Sequence, residues 1–218
     1  MPDLRLIVIT DAALAAPRTV LDVVTAALAA GAPAIQLRDK TATARELLEQ
    51  AEALLRVVRE HGALLFINDR MDVALLAGAD GVHLGPDDLP VAAARGIAPP
   101  GFLIGHSTDD PRKAQLAQRD GADYIGCGAV FGTSTKKDVG DERIGTARLD
   151  GVARAVKIPV VGIGGITVEN VGRVGATSAR GVAVVGAVMA APDPGAATRA
   201  LLEGFDRVHG RHPVAVEE

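Results

Sequence analysis

Short aliphatic runs alternate with longer amphipathic segments along this chain, roughly every 20 to 30 residues. The runs are RLIVIT (5–10), AIQLR (34–38), LLFIN (64–68), GVHL (81–84), LIGHS (103–107), DYIGCG (123–128), PVVGIGG (159–165) and GVAVVGA (181–187), eight in all. Each is short enough for a strand, and each is followed by a polar or glycine-bearing stretch. The segments between them carry helical stripes. Leu47, Ala51, Leu54, Leu55 and Val58 fall at i, i+4, i+7, i+8 and i+11. Leu149, Val152, Ala153 and Val156 repeat the stripe later in the chain. Gly31 and Gly62 stand where helix C-caps are expected, shortly before the next strand.

Eight strand–helix units in about 210 residues predict an α/β fold, a single-domain (β/α)8 TIM barrel. The barrel is assigned to residues 1–210. The tail 211–218 carries no evident motif and is expected to lie outside the ordered barrel. A doubly wound open sheet is the rival. It would more often have five or six strands and a glycine fingerprint after the first strand. Here the first run ends in Thr10-Asp11, with no glycine.

Composition supports the barrel. Hydrophobic residues make up 48% of the 218 residues but aromatics only 2%, so the core must be aliphatic. Strands covered by helices outside and filled by side chains inside read this way. The formal net charge of −4 gives no basic field for nucleic acid, so an anionic ligand needs a local cluster of cations. The one cysteine, Cys127, excludes an intramolecular disulfide and fits a reducing compartment. The apolar run at residues 4–9, with Arg5 inside it, is too short for a signal core or a membrane span. A cytoplasmic protein is the expectation.

In such a barrel, chemistry sits at the C-terminal ends of the strands. The unusual polar residues of this chain gather there. Gln36, Arg38 and Lys40 alternate at period 2, so an extended segment would point them to one side. An amide and two cations on one side suit a polyanion such as a diphosphate. The competing reading is a surface ion-pair patch with Asp39. Asn68-Asp69 and Asp87-Asp88 bring carboxylates from neighbouring strands, the hard oxygen ligands that suit Mg²⁺. One of Asp87 and Asp88 is equally suited to cap the next helix. Ser107-Thr108 ends the fifth strand.

GIGGI (162–166) and Gly186 offer backbone N–H groups to a phosphate, as loops after strands 7 and 8 often do. A tight turn with no ligand is the alternative. The stretch GAVFGTSTKKD (128–138) is dense in glycine, hydroxyls and lysine, yet it does not meet the Walker A spacing. What it offers is Thr133 and Thr135 on one side of a loop, with Lys136 as a cation. His83 reads as packed within its strand. His106 faces away from Ser107, and His61, His209 and His212 read as surface residues. Cys127 reads as a small apolar residue.

IQLRDK, INDR, DGVHLGPDD, YIGCGAVFGTSTKKD and VVGIGGI, in this order and spacing, resemble the thiamine-phosphate synthase family. The resemblance runs from about Leu6 to Phe205. It implies a (β/α)8 enzyme that joins hydroxymethylpyrimidine diphosphate to thiazole phosphate, giving thiamine phosphate and pyrophosphate. It implies that Arg38, Lys40, Asn68 and Lys136 hold the diphosphate, and that Asp69 and Asp88 bind Mg²⁺. Gln36 and Ser107 would address the pyrimidine. Thr133 and Thr135 would line the thiazole side. N–H groups of Gly165, Val185 and Gly186 would grip its phosphate. The implied catalytic set is Arg38, Lys40, Ser107 and Lys136.

The chain departs from the family pattern at four positions. Pro86 replaces a usual Gln, Ala129 and Gly132 replace prolines, and Gly186 replaces a Ser. Gly132 is expected to loosen its loop, because proline restricts a chain and glycine does not. Rival readings are a related thiazole tautomerase, another phosphate-handling barrel enzyme, and a phosphate-binding protein without catalysis. The tautomerase expels no diphosphate and has no use for Arg38, Lys40, Asp69, Asp88 and Lys136 together. The partners implied are small molecules, with a homo-oligomer left open.

Overall fold

A computed structural model of the chain describes residues 1–132 and 143–210. Its eight strands are β1 (Leu6–Ile9), β2 (Ala34–Leu37), β3 (Leu64–Asn68), β4 (Gly81–Leu84), β5 (Leu103–Ser107), β6 (Tyr124–Gly128), β7 (Val160–Ile163) and β8 (Gly181–Val184). All neighbours are parallel, and β8 pairs with β1, so the sheet closes into a barrel in chain order. This is the (β/α)8 barrel that the alternation predicts. β3, β4 and β5 coincide with their aliphatic runs, and the other five strands are shorter than theirs. Thr10, Arg38, Gly164, Gly165 and Gly186 therefore lie just beyond the strand ends, while Asn68 and Ser107 close their strands.

The helices around it are α1 (Ala12–Ala15), α2 (Val20–Ala29), α3 (Ala44–Glu60), α4 (Met71–Ala77), α5 (Val91–Ile97), α6 (Pro111–Arg119), α7 (Gly145–Ala155), α8 (Val171–Gly175), α9 (Gly186–Met189) and α10 (Pro194–His209). α3 buries Leu47, Ala51, Leu54, Leu55 and Val58, the stripe read from the sequence. Full burial of each Leu or Val is worth about 1.5–3 kcal/mol. Its start is a capping box. Thr43 accepts the Glu46 N–H while Glu46 accepts the Thr43 N–H. Thr19 and Asp22 do the same for α2. Gly31 and Gly62 follow the two helices at φ of 94° and 64°, where residues with a Cβ are disfavoured. α7 ends one residue before Val156, which caps it in extended backbone.

Strand alternation sorts the core into two layers. Leu6, Val8, Ile35, Leu65, Ile67, Ile125 and Val182 face the helices and join one large cluster. Ile7, Ala34, Phe66, Tyr124, Val161 and Ala183 belong to a smaller cluster inside the barrel. The inner layer is where a polar residue changes the function, because whatever is not filled by side chains becomes the site. Among the described residues no helix is long and apolar enough to cross a membrane.

Candidate active site

A cavity of about 760 Å³ opens among the C-terminal ends of the strands. It is lined on one side by Gln36, Arg38 and Asn68, and on the other by Gly164, Gly165 and Gly186. Ser107 and Val185 also line it.

Gln36 is 3% exposed. Arg38 stands just past the end of β2. Its backbone is braced by Thr10, whose hydroxyl accepts the Arg38 N–H at 2.9 Å and donates to the Arg38 carbonyl at 3.3 Å. The Arg38 Nε is buried and has no hydrogen-bond partner. A buried donor left unpaired is costly, and an anion in the cavity would satisfy it.

Lys40 does not follow Arg38 into the cavity. The extended run ends at Leu37, and Asp39 turns the chain by accepting the N–H groups of Thr41 and Ala42. Asp39 also accepts from the Gln50 amide, so the surface patch of Asp39 with Arg38 and Lys40 is not formed. Lys40, with its side chain 57% exposed, stands 3.6 Å from the Asp69 carboxylate instead.

Asp69 takes a φ of 63°, the one positive value among the described non-glycine residues. Its N–H donates to the His83 carbonyl, tying the end of β3 to β4. Burial pushes the Asp69 carboxyl up, the neighbouring Asp88 adds to this, and Lys40 partly offsets it. Asp88 accepts the Gly85 N–H at 2.7 Å. Neither Asp87 nor Asp88 caps α5, whose N-cap is Pro90. Two carboxylates thus meet at the rim, beside Asn68 but outside the cavity lining. Among the described residues no group of three or more His, Cys, Asp or Glu gathers as a metal site. The pair nonetheless fits Mg²⁺, which takes one or two carboxylates and completes its shell with phosphate and water.

The opposite wall is built from backbone. Gly164 and Gly165 have φ of 98° and 64°. A methyl group on Gly165 would overlap the Gly132 carbonyl, and one on Gly164 would lie 2.6 Å from Ala129 Cα. The loop after β6 is therefore seated directly on the loop after β7. Val130 N–H donates to the Ile163 carbonyl at 2.8 Å, and Phe131 N–H to the Gly164 carbonyl at 3.0 Å. Arg173 stacks over the Phe131 ring at 4.8 Å. Gly132 takes φ of 87°, which proline cannot adopt. Glycine at this position thus sets a backbone turn that a proline could not make. Thr133, Thr135 and Lys136 lie outside the described residues.

Two cavity residues escaped the sequence reading. His83, read as packed, lines the cavity, and Tyr124 forms part of its floor. His83 meets the Tyr124 hydroxyl through Nδ1 at 2.9 Å and Ser107 Oγ through Nε2 at 2.8 Å. Strand alternation placed His83 on the face opposite Val82 and Leu84. It could not say that this face met open space. His106 does not line the cavity; its Nδ1 is buried without a partner, and burial lowers its proton affinity. Cys127 is buried, with its thiol pushed up to about 12, in keeping with an apolar role. His61 is exposed, His209 stacks on Phe205, and His212 lies outside the described residues.

The thiamine monophosphate synthase family model matches residues 6–188. The chain is 51% identical over 196 residues to the thiamine-phosphate synthase of Roseiflexus castenholzii, covering 90% of this chain and 86% of that one. It is 44% identical over 211 residues to the thiamine-phosphate synthase of Moorella thermoacetica, covering 97% and 100%. Among solved structures, thiamine phosphate pyrophosphorylase from Pyrococcus furiosus superposes with a TM-score of 0.86 at 43% identity, over 95% of this chain and 98% of that one. A 3-hexulose-6-phosphate synthase superposes with a TM-score of 0.66 at 20% identity, a likeness of fold alone.

Proposed function

This chain belongs to the thiamine monophosphate synthase family, and from that premise we propose that it joins hydroxymethylpyrimidine diphosphate to thiazole phosphate. The products are thiamine phosphate and pyrophosphate. One observation carries the reading: a single cavity runs from the unpaired Arg38 Nε to the glycine turns after β7 and β8. That suits two substrates with an anionic group at each far end, meeting in the middle. Its volume is in the range of small-ligand sites.

The bond broken is between the pyrimidine methylene carbon and the diphosphate oxygen. The substitution is dissociative. Diphosphate leaves first with the bonding pair, and the electron-rich aminopyrimidine supports the cation left behind. The thiazole nitrogen then bonds to that carbon with its own lone pair. The described residues supply no general-base histidine free for the task, and none is needed. Arg38 and Lys40 stabilise negative charge as it collects on the leaving diphosphate. Asn68 and Lys136 complete that grip. Gln36 and Ser107 orient the pyrimidine. Thr133, Thr135 and the N–H groups of Gly165, Val185 and Gly186 hold the thiazole phosphate so that its nitrogen faces the methylene carbon. Holding both partners in line supplies the rest of the rate. Asp69 and Asp88 are the residues that would hold Mg²⁺, whose chemistry is to neutralise diphosphate charge.

The test is direct. Purified protein, both substrates and Mg²⁺ are incubated, and thiamine phosphate and pyrophosphate are followed by mass. Equal amounts of the two products are expected. Absence of both would sink the proposal, and conversion of a thiazole substrate alone would favour a tautomerase.

A further inference from the structure

Two arginines line the cavity, one toward each end. Among the described lining residues the fully charged side chains are Arg38, Arg143 and Asp109. Arg38 follows β2, and Arg143 stands between β6 and α7. In a closed barrel of eight strands in chain order, β2 and β6 face one another across the barrel. Asp109 is engaged elsewhere. Arg148 stands 3.6 Å from its carboxylate and donates to its carbonyl at 2.7 Å. Arg173 lies over the Phe131 ring and does not line the cavity. No carboxylate among the described residues comes within ion-pair range of Arg143.

Arg143 is held at the glycine end by its neighbours. The Ile144 N–H donates to the Ala129 carbonyl at 2.9 Å, and the Gly145 N–H to the Val130 carbonyl at 3.1 Å. These bonds tie the chain just after Arg143 to the residues that follow β6. The arginine side chain lies against Gly132. A methyl group on Gly132 would come within 3.0 Å of Arg143 Nε and 3.3 Å of its Cγ. The Gly132 carbonyl is in turn the atom that a methyl group on Gly165 would overlap. Arg143, Gly132 and the Gly165 turn are therefore packed in succession. Gly132 supplies the left-handed turn, and its lack of a side chain leaves the space that Arg143 fills. Arg143 is a third cavity residue that the sequence pattern did not single out, because it lies outside every strand run and helical stripe.

We propose that Arg143 binds the phosphate monoester at the glycine end of the cavity, adding a charged side-chain grip to the N–H groups of Gly165, Val185 and Gly186. A guanidinium presents a planar fork of donors that matches two phosphate oxygens. The phosphate lies away from the bond that breaks. Its grip holds ground state and transition state alike, so losing it raises KM more than it lowers kcat. Naming the monoester as thiazole phosphate rests on the function proposed above. The anion subsite is read without turnover.

The test compares the full chain with its Arg143→Gln and Arg143→Lys variants. Binding of inorganic phosphate is measured by isothermal titration calorimetry, and KM for each substrate by steady-state kinetics. Arg143→Gln is expected to weaken phosphate binding about tenfold, the scale of one hydrogen bond to a charged group. KM for thiazole phosphate should rise about tenfold on that scale, and KM for the pyrimidine diphosphate less than about twofold. Arg143→Lys keeps the charge and loses the fork, so it is expected to fall between wild type and Arg143→Gln. Equal phosphate affinity in wild type and Arg143→Gln overturns the proposal. A rise in KM for the diphosphate in place of the thiazole phosphate also overturns it. If Arg143→Gln does not fold, Arg143→Lys decides, and wild-type phosphate affinity in that variant overturns the proposal. Phosphate binding that depends on Arg143 in a protein that forms no thiamine phosphate upholds the subsite and sinks the proposed function.

Discussion

At Asp69 two unfavourable features coincide: a left-handed backbone and a carboxyl whose proton affinity is raised by burial and by Asp88. Both are costs of the kind that functional sites carry, and the Mg²⁺ role proposed for Asp69 would account for them. The sign of the pH effect follows. A folded-state carboxyl raised above its unfolded value contributes stability at low pH. That contribution is lost as pH rises from the unfolded value, about 3.9, through the folded one. Asp69→Asn removes the charge, and Asn accepts positive φ more readily than most residues. It is expected to raise Tm near neutral pH, with a gap over wild type that shrinks toward low pH. Differential scanning fluorimetry across pH checks this. The same variant is expected to lower kcat at least about 100-fold, the scale of one electrostatic contributor, as is Lys136→Ala. Near-normal turnover in either variant would remove the role assigned to that residue.

Among elements, substitution at the start of α3 is expected to change stability alone, and substitution in the β7 loop to change both stability and binding. Neither Thr43 nor Glu46, the capping box of α3, lines the cavity. Thr43→Ala is expected to cost about 1 kcal/mol, seen as a lower denaturant midpoint, with kcat unchanged. Gly165 has positive φ and no space for a methyl group against the Gly132 carbonyl. Gly165→Ala is expected to destabilise by more than about 1 kcal/mol and to raise KM for thiazole phosphate more than KM for the diphosphate. The helical stripe of α3 was legible because burial on one face imposes a 3.6-residue period on the sequence itself. The turn at Asp39 was not. Period 2 placed Lys40 beside Arg38, but a local carboxylate capping two N–H groups ended the strand and sent Lys40 to Asp69.

For the whole molecule, closure of the barrel sets the outcome. β8 against β1 brings Gly186 and Arg38 to one cavity although they are far apart in the chain. Chelation by EDTA is expected to abolish product formation and added Mg²⁺ to restore it. The pyrimidine diphosphate should raise Tm more with the ion than without it, by mass action on the folded state. A metal-independent rate would contradict the role proposed for Asp69 and Asp88. The sequence by itself determined the eight-fold alternation, the aliphatic core and the strand ends where polar groups collect, since each is a local period or composition. Its motifs determined the family. Only the tertiary structure decided that His83 meets both Tyr124 and Ser107, and that Gly132 takes a left-handed backbone against Gly165. Those outcomes depend on which side chains meet across non-adjacent strands and loops, and no period along a single strand carries that information.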